Sequence, residues 1–313
     1  MLYLAAMMGC AEQAVPGDAD AETGGSDWSI PDPSTYDCSA ADIPDRASPT
    51  PISCAFDPTC RLTQVAAHRG GGGELGALAP EDTLSGFRAG IAIGVEYVET
   101  DPRPSADGVL VNLHDSTVDR TTDGTGDASA MTLAELQALH IDARDLDGDF
   151  SCERIPTLRE ILETCLGRVV VLVDANKTDR VDLLVGDILA ADAVEWAIFD
   201  TSSLDKIDAA LAIEPTLHIQ IRPTLSEIDA QLAHFAPRLP EIVELEAGDR
   251  AAGTGKVHDY GTRSFSDVFI EDAGAISSGT TTGYETALAT GLDILQTDRP
   301  DLVIPLLMSQ GRR

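Results

Sequence analysis

Residues 95–115, VEYVETDPRPSADGVLVNLHD, decide how this chain is built. Val95 to Glu99 and Val109 to Leu113 are two short β-favouring runs. Only Pro102 to Gly108 separates the second run from the end of the first strand. A parallel crossover needs about a dozen residues or more, so the second run must return antiparallel, through the turn Ala106-Asp107-Gly108. With the turn there, Glu99 and Asp101 fall opposite His114. The two-residue period of a strand also puts both carboxylates on one face. Two acids and an imidazole thus meet through local geometry alone.

Outward from this hairpin, short β-branched runs alternate with helical stretches. The runs are Gln64–Ala67, Val95–Glu99, Val169–Asp174 and Trp196–Phe199, then Leu217–Ile221, Ile242–Leu245, Val268–Ile270 and Ile294–Gln296. Helical periodicity is expected over Asp82–Ile93, Thr157–Cys165, Val181–Ala190, Ser203–Ala212, Thr224–His234 and Thr282–Thr290. Strand–helix alternation carried through eight runs predicts a parallel (β/α)8 TIM barrel, with a hairpin after the second strand and a short insertion before the third. Such barrels take about 250 residues. Residues 61–313 are assigned to the barrel, and the Pro-, Gly- and Ser-rich stretch 11–60 is expected to be a flexible tether.

Charge narrows the function. The 313 residues carry 53 acidic and 21 basic side chains, a formal net charge of −32. That balance excludes nucleic acid as a partner and makes an unaided grip on anionic lipid unfavourable. An anionic substrate would need a local cation. The first ten residues, MLYLAAMMGC, end like a bacterial lipoprotein signal in which Cys10 would be lipidated, though a basic leader is missing. No other segment approaches the roughly 20 apolar residues of a membrane span. The expected location is extracytoplasmic, tethered or secreted, with membrane contact only through a lipidated N-terminus. Cysteine spacing fits an oxidising space, with Cys54–Cys60 and Cys152–Cys165 as plausible pairs and Cys38 left over.

Barrel active sites sit at the carboxyl ends of the strands. Those ends carry His68-Arg69-Gly70, Glu99-Thr-Asp101, Asp174 and Thr297-Asp298-Arg299-Pro300, and the hairpin adds His114-Asp115. Glu99, Asp101 and Asp174 form a hard oxygen set suited to one divalent cation, Ca²⁺ or Mg²⁺, while the lack of thiolate or clustered-imidazole spacing disfavours zinc and copper. His68 and His114 adjoin those carboxylates and suit a general acid/base pair, and Arg69 can grip a phosphate. His140, His218, His234 and His258 are given structural roles. The run Asp145-Leu-Asp147-Gly148-Asp149 lacks EF-hand spacing and is assigned to a solvated loop.

The ordered motifs resemble the glycerophosphodiester phosphodiesterase family over roughly Val65 to Val303. They are AHRG at 67–70, APEDT at 79–83, ETD at 99–101, DGVLVNLHD at 107–115 and DRTTDGTGD at 119–127, followed by TLAEL at 132–136, IPTLREIL at 155–162 and GLDILQTDRPD at 291–301. The resemblance implies a metal-dependent barrel that splits small glycerophosphodiesters. His68 and His114 would be catalytic, Glu99, Asp101 and Asp174 metal ligands, and Arg69 with Lys177 phosphate contacts.

Three departures stand out. The family places an acid and a lysine two residues apart, whereas here Asn176 fills the lysine slot unless the chain re-aims Lys177. The loop after His68 is long and glycine-rich, either a simple flexible loop or a substrate-covering lid. A tryptophan expected near the seventh strand is replaced at Val268-Phe269-Ile270, so Phe269, like Asn176, is a candidate substrate-lining residue. Alternatives are an enzyme similar to sphingomyelinase D, which would need an apolar rim at the site, and a non-catalytic phosphodiester-binding lipoprotein suggested by the shifted lysine.

Overall fold

A computed structural model describes residues 28–48, 50–143 and 145–313. The expected lipid attachment at Cys10, and the tether as far as residue 27, lie outside the described residues. The chain runs β1 (Gln64–Ala67), α1 (Leu84–Ile93), β2 (Tyr97–Thr100), β3 (Pro102–Pro104), β4 (Leu110–Asn112), α2 (Leu133–Leu136), α3 (Leu158–Cys165) and β5 (Val170–Asp174). It continues through α4 (Val181–Ala190), β6 (Ala197–Thr201), α5 (Leu204–Ile213), β7 (His218–Ile221), α6 (Ile228–Phe235) and β8 (Ile242–Glu244). Last come α7 (Arg250–Asp259), β9 (Arg263–Asp267), α8 (Phe269–Ser278), α9 (Thr282–Leu288), β10 (Ile294–Thr297) and α10 (Pro300–Ser309).

The parallel strands close in the order β1-β10-β9-β8-β7-β6-β5-β2, and β3 and β4 pair antiparallel outside the barrel. Pro102 pairs with Asn112 and Pro104 with Leu110, the hairpin expected from the short spacing. Local chemistry sets the helix ends. The Thr83 hydroxyl accepts the Gly86 amide, and Gly94, at φ 96°, ends α1 in the left-handed conformation that glycine adopts freely. Capping boxes at Thr132/Glu135 and Thr157/Glu160 start α2 and α3. Gly90 lets α1 lie directly on the barrel, because a Cβ there would stand 2.5 Å from the Gly70 carbonyl oxygen.

Three expectations are corrected. The seventh strand is β9, Arg263–Asp267, and Val268-Phe269-Ile270 instead leads into and begins α8. Arg263 and Ser264 are tolerated in the barrel wall because Arg263 donates to the Cys54 carbonyl and Gln64, and Ser264 to Asp293. Cys152 pairs with Cys38, not with Cys165, which is a free thiol inside the core. The Cys54–Cys60 disulfide is present. Finally, residues 28–60 are not a free tether where they are described. Trp28 donates to the Ile93 carbonyl, Tyr36 is buried, and Arg46 pairs with the buried Glu96, which also holds Arg313. Ile52, Ala55 and Phe56 pack with the barrel-lining Tyr97, Ile242 and Phe265, and the Tyr97 hydroxyl donates to the Ala55 carbonyl at 2.6 Å. Low periodicity hid a segment that packs as irregular loops and short 3-10 turns.

Candidate active site

The site grows from β2 and its hairpin. Asn112, buried in β4, accepts the Asp101 amide at 2.7 Å and also the Thr100 hydroxyl, which sets the turn out of β2. Asp101 accepts the Leu113 amide through its carbonyl, so His114 follows directly beside the acids. At the end of β5, Asp174 accepts the Asn176 amide at 2.6 Å and caps a 3-10 turn, Ala175–Lys177. Glu99, Asp101 and Asp174 come together with carboxylate oxygens all within 4.8 Å of one another.

Three buried acids this close repel one another and are poorly solvated. Burial, then the charges of Asp101, Asp174 and Asp82, push the Glu99 carboxyl well above its usual range. Asp101 is 1% exposed, yet its Oδ2 has no hydrogen-bond partner. A buried carboxylate oxygen without a hydrogen bond, close to two further acids and 3.7 Å from the Arg69 Nε, fits a hard divalent cation, and the all-oxygen donor set suits Ca²⁺ or Mg²⁺.

His68 lies across from these acids, its Nε2 3.9 Å from Glu99. Its Nδ1 is 2.7 Å from Asp298, which also accepts the amides of Gly73 at 2.9 Å and Leu75 at 3.1 Å. Burial works against the Asp298 charge, but the bond with His68 and those two amides hold its pKa below the ordinary carboxylate value. The glycine-rich loop is therefore fastened to the same carboxylate that orients His68. A Cβ on Gly73 would sit 2.5 Å from His68 Nδ1, so the loop can close on the imidazole only as glycine. Phe269 packs against the other side, ring centroids 4.4 Å apart.

His114 Nδ1 is 2.9 Å from Asp115, and its amide donates to Asp82. Burial lowers the His114 pKa despite the neighbouring Asp115 and Asp101. Arg69 stretches between the two halves of the site. Its Nη1 donates to Glu81 at 2.8 Å, while its buried Nε, 3.7 Å from Asp101, has no hydrogen-bond partner. The lysine question resolves in favour of Lys177. The 3-10 turn brings its Nζ to 3.5 Å from Asp101, and the Asn176 amide oxygen instead accepts from Thr201 and Ser202 at the end of β6. The displaced lysine therefore gives no ground for a non-catalytic barrel. The remaining histidines pair with acids outside this cluster: His140 with Asp123, His218 with Glu241, His234 with Asp208 and His258 with Asp293.

Several residues at the barrel mouth were not anticipated. Arg222, just past β7, is gripped by Asp200 and Glu244 and reaches Asp174 at 3.5 Å. Burial raises the Asp200 pKa to about 6 even with Arg222 beside it. On β9, Asp267 accepts from Gln296 at 3.0 Å. Arg120 bridges Glu81 and Asp115, tying the Arg69 side of the site to the His114 side. The available signal was positional, since Asp200, Glu244 and Asp267 all lie at or next to the carboxyl end of a strand.

Residues 68–188 match the sequence model of the Glycerophosphoryl diester phosphodiesterase family. Human glycerophosphodiester phosphodiesterase 1 is 42% identical over 187 residues, 56% of this chain and 53% of that protein. The bovine protein of the same name is 34% identical over 178 residues. The chain thus spans about half the length of these curated relatives. A probable glycerophosphodiester phosphodiesterase 1 of Mycobacterium tuberculosis is 29% identical over 245 residues, 69% of this chain and 88% of that one. Among solved structures, a glycerophosphoryl diester phosphodiesterase from Parabacteroides distasonis superposes with a TM-score of 0.69 at 20% identity, covering 86% of this chain and 93% of that one. An Oleispira antarctica phosphodiesterase, solved with the product sn-glycerol-3-phosphate, gives 0.61 at 22% identity, covering 80% and 96%. At these identities the two structures speak for the barrel fold.

Proposed function

On the match of residues 68–188 to the glycerophosphodiester phosphodiesterase family and the 42% identity to the human enzyme over 187 residues, we propose that the chain belongs to this family and hydrolyses small glycerophosphodiesters to sn-glycerol 3-phosphate and an alcohol. The observation that carries this reading is the joint placement of Glu99, Asp101 and Asp174 at the barrel mouth, with His68 3.9 Å from Glu99 and His114 next in sequence to Leu113, whose amide donates to the Asp101 carbonyl. In the reaction a bond forms from the attacking oxygen to phosphorus and the bond from phosphorus to the alcohol oxygen breaks. One proton leaves the nucleophile and one reaches the departing alkoxide.

Glu99, Asp101 and Asp174 would hold the divalent cation, which when bound supplies charge stabilisation to the phosphoryl oxygens. Arg69 and Lys177 add fixed positive charge on the same side of the site, Arg69 with an Nε that still lacks a partner. His114, kept neutral at pH 7 by burial, is suited to accept the proton of the nucleophile. Asp298 holds His68 through Nδ1, which leaves Nε2 directed toward the carboxylates and placed to serve the leaving group. Phe269, against the His68 ring, supplies an apolar wall for the substrate. In a chain of net charge −32, Arg69, Lys177 and a bound divalent ion would together offset the three carboxylates at this site.

The disulfides Cys38–Cys152 and Cys54–Cys60 support an extracytoplasmic setting. Among the described residues no helix is long and apolar enough to cross a membrane. Alanine at His68 or His114 is expected to abolish glycerophosphocholine cleavage while thermal unfolding stays cooperative. Full turnover by either folded variant would refute the acid/base assignment.

A further inference from the structure

Asp82 lies in the turn before α1 and is buried, 4% exposed. Its backbone sits in the left-handed region at φ 60°, which a non-glycine residue holds only where its surroundings fix it. They do so here from both sides. The Asp82 amide donates to the Arg69 carbonyl at 3.0 Å, and Arg69 is itself left-handed at φ 49°. Next in sequence, the Thr83 hydroxyl donates to the Pro80 carbonyl at 2.8 Å and caps α1. Ser85 is held through both its amide and its hydroxyl by the buried Glu153. The Asp82 carboxylate is thus carried on a fixed piece of backbone.

One of its oxygens accepts from Asn112 Nδ2 at 2.7 Å, and the other accepts the His114 amide at 2.8 Å. The direction of these bonds is forced. A backbone amide only donates, so the Asn112 atom that faces the Asp101 amide at 2.7 Å must be the carbonyl oxygen, which also takes the Thr100 hydroxyl. The Asn112 NH₂ then has to point the other way and find an acceptor, and the His114 amide needs a second acceptor beside it. A carboxylate offers two acceptors in that place, whereas asparagine would offer one. Through two bonds a single buried side chain thereby reaches both the turn that carries Asp101 and the backbone of His114. Resting on the phosphodiesterase reading above, we propose that Asp82 is a positioning residue that sets the Asp101 carboxylate and the His114 imidazole relative to each other, and that it does so through a directional acid–amide pair with Asn112.

The test reverses the pair. Asp82→Asn turns an NH₂ against either Asn112 or the His114 amide, and Asn112→Asp turns a carboxylate oxygen against Asp82. Each single variant, folded by the criterion of cooperative urea unfolding, should lose roughly 10–100-fold in kcat on glycerophosphocholine and in affinity for Ca²⁺ or Mg²⁺ by calorimetry, the scale for groups that orient metal ligands. KM at saturating cation should stay within about threefold, because Arg69 and Lys177 are untouched. In the double variant Asp82→Asn/Asn112→Asp, the amide at position 82 can donate to the carboxylate at position 112 and accept from His114. The other carboxylate oxygen then serves the Asp101 amide and Thr100, so kcat and cation affinity should recover to within about fivefold of the parent. If a single variant fails to fold, the double variant measured against the parent decides alone. Single variants equal to the parent, a double variant that recovers neither quantity, or one that does not fold, overturns the proposal. Absence of turnover in the parent refutes the hydrolytic reading, and the cation affinities of the same variants then decide this one. A parent that neither turns over nor binds a cation overturns both.

Discussion

Replacing Asp298 with alanine removes three hydrogen bonds at once, from His68 Nδ1 and from the amides of Gly73 and Leu75. Gly73 is buried, so its amide would be left without a partner at a cost of about 1–3 kcal/mol. Leu75 is more exposed and water can replace its bond, so the total loss of stability should be about 2–3 kcal/mol. Activity should fall much further, by roughly 10²–10⁴-fold, the usual worth of a positioned acid/base group. Asparagine is the sharper probe. Asp298 Oδ1 serves both His68 and Gly73, and Oδ2 serves Leu75. If the asparagine oxygen faces His68, its NH₂ opposes the Leu75 amide. If it faces Leu75, the NH₂ donates to His68 Nδ1 and moves the ring proton to Nε2. Either orientation breaks part of the arrangement, so Asp298→Asn should lose activity while losing less stability than alanine. Urea unfolding gives the first quantity, and kcat with KM on glycerophosphocholine gives the second. An Asp298→Asn enzyme within about threefold of the parent would refute the claim that this carboxylate positions His68.

Two further outcomes follow from the same structure. The Glu99 carboxyl is raised above its ordinary value of 4.5 by burial and by its acidic neighbours. In metal-free protein its ionisation therefore costs stability, so that protein should weaken as pH rises from about 4.5 through the raised folded value. Loading with Ca²⁺ or Mg²⁺ should release a proton and raise the melting temperature more at pH 8 than at pH 6, by calorimetry in buffers of different ionisation heat; a pH-independent shift without proton release would contradict it. Replacing Cys38 and Cys152 with serine opens a link across a sequence separation of 114, and should cost about 3–5 kcal/mol in urea unfolding; no change would mean residues 28–48 do not brace the barrel.

The barrel was legible wherever a strand is a continuous β-branched run, as in Val170–Asp174, because a strand buried on both faces has to be apolar throughout. It was illegible at Arg263–Asp267, where Arg263 and Ser264 bond to partners far away in sequence, while the neighbouring apolar run Val268-Phe269-Ile270 looked more strand-like. The core of the site could be read because a hairpin and a strand end bring Glu99, Asp101 and His114 together locally. Asp174 followed from the same strand-end rule. The Asp298 contact with His68 spans 230 residues, and the Arg222 pairs cross between neighbouring strands, so both depend on barrel closure that no local pattern encodes. Cys38–Cys152 was missed for a related reason: spacing favours near partners, and the segment carrying Cys38 has no periodic pattern to place it.

The most direct measurement is release of sn-glycerol 3-phosphate from glycerophosphocholine by the purified protein, before and after exhaustive chelation and after return of Ca²⁺ or Mg²⁺. The account predicts turnover that disappears with chelator, returns with either or one of these cations, and stays absent in His68→Ala and His114→Ala. Undiminished release in chelator would contradict the metal-assisted reading of Glu99, Asp101 and Asp174. No release under any of these conditions would contradict the phosphodiesterase itself.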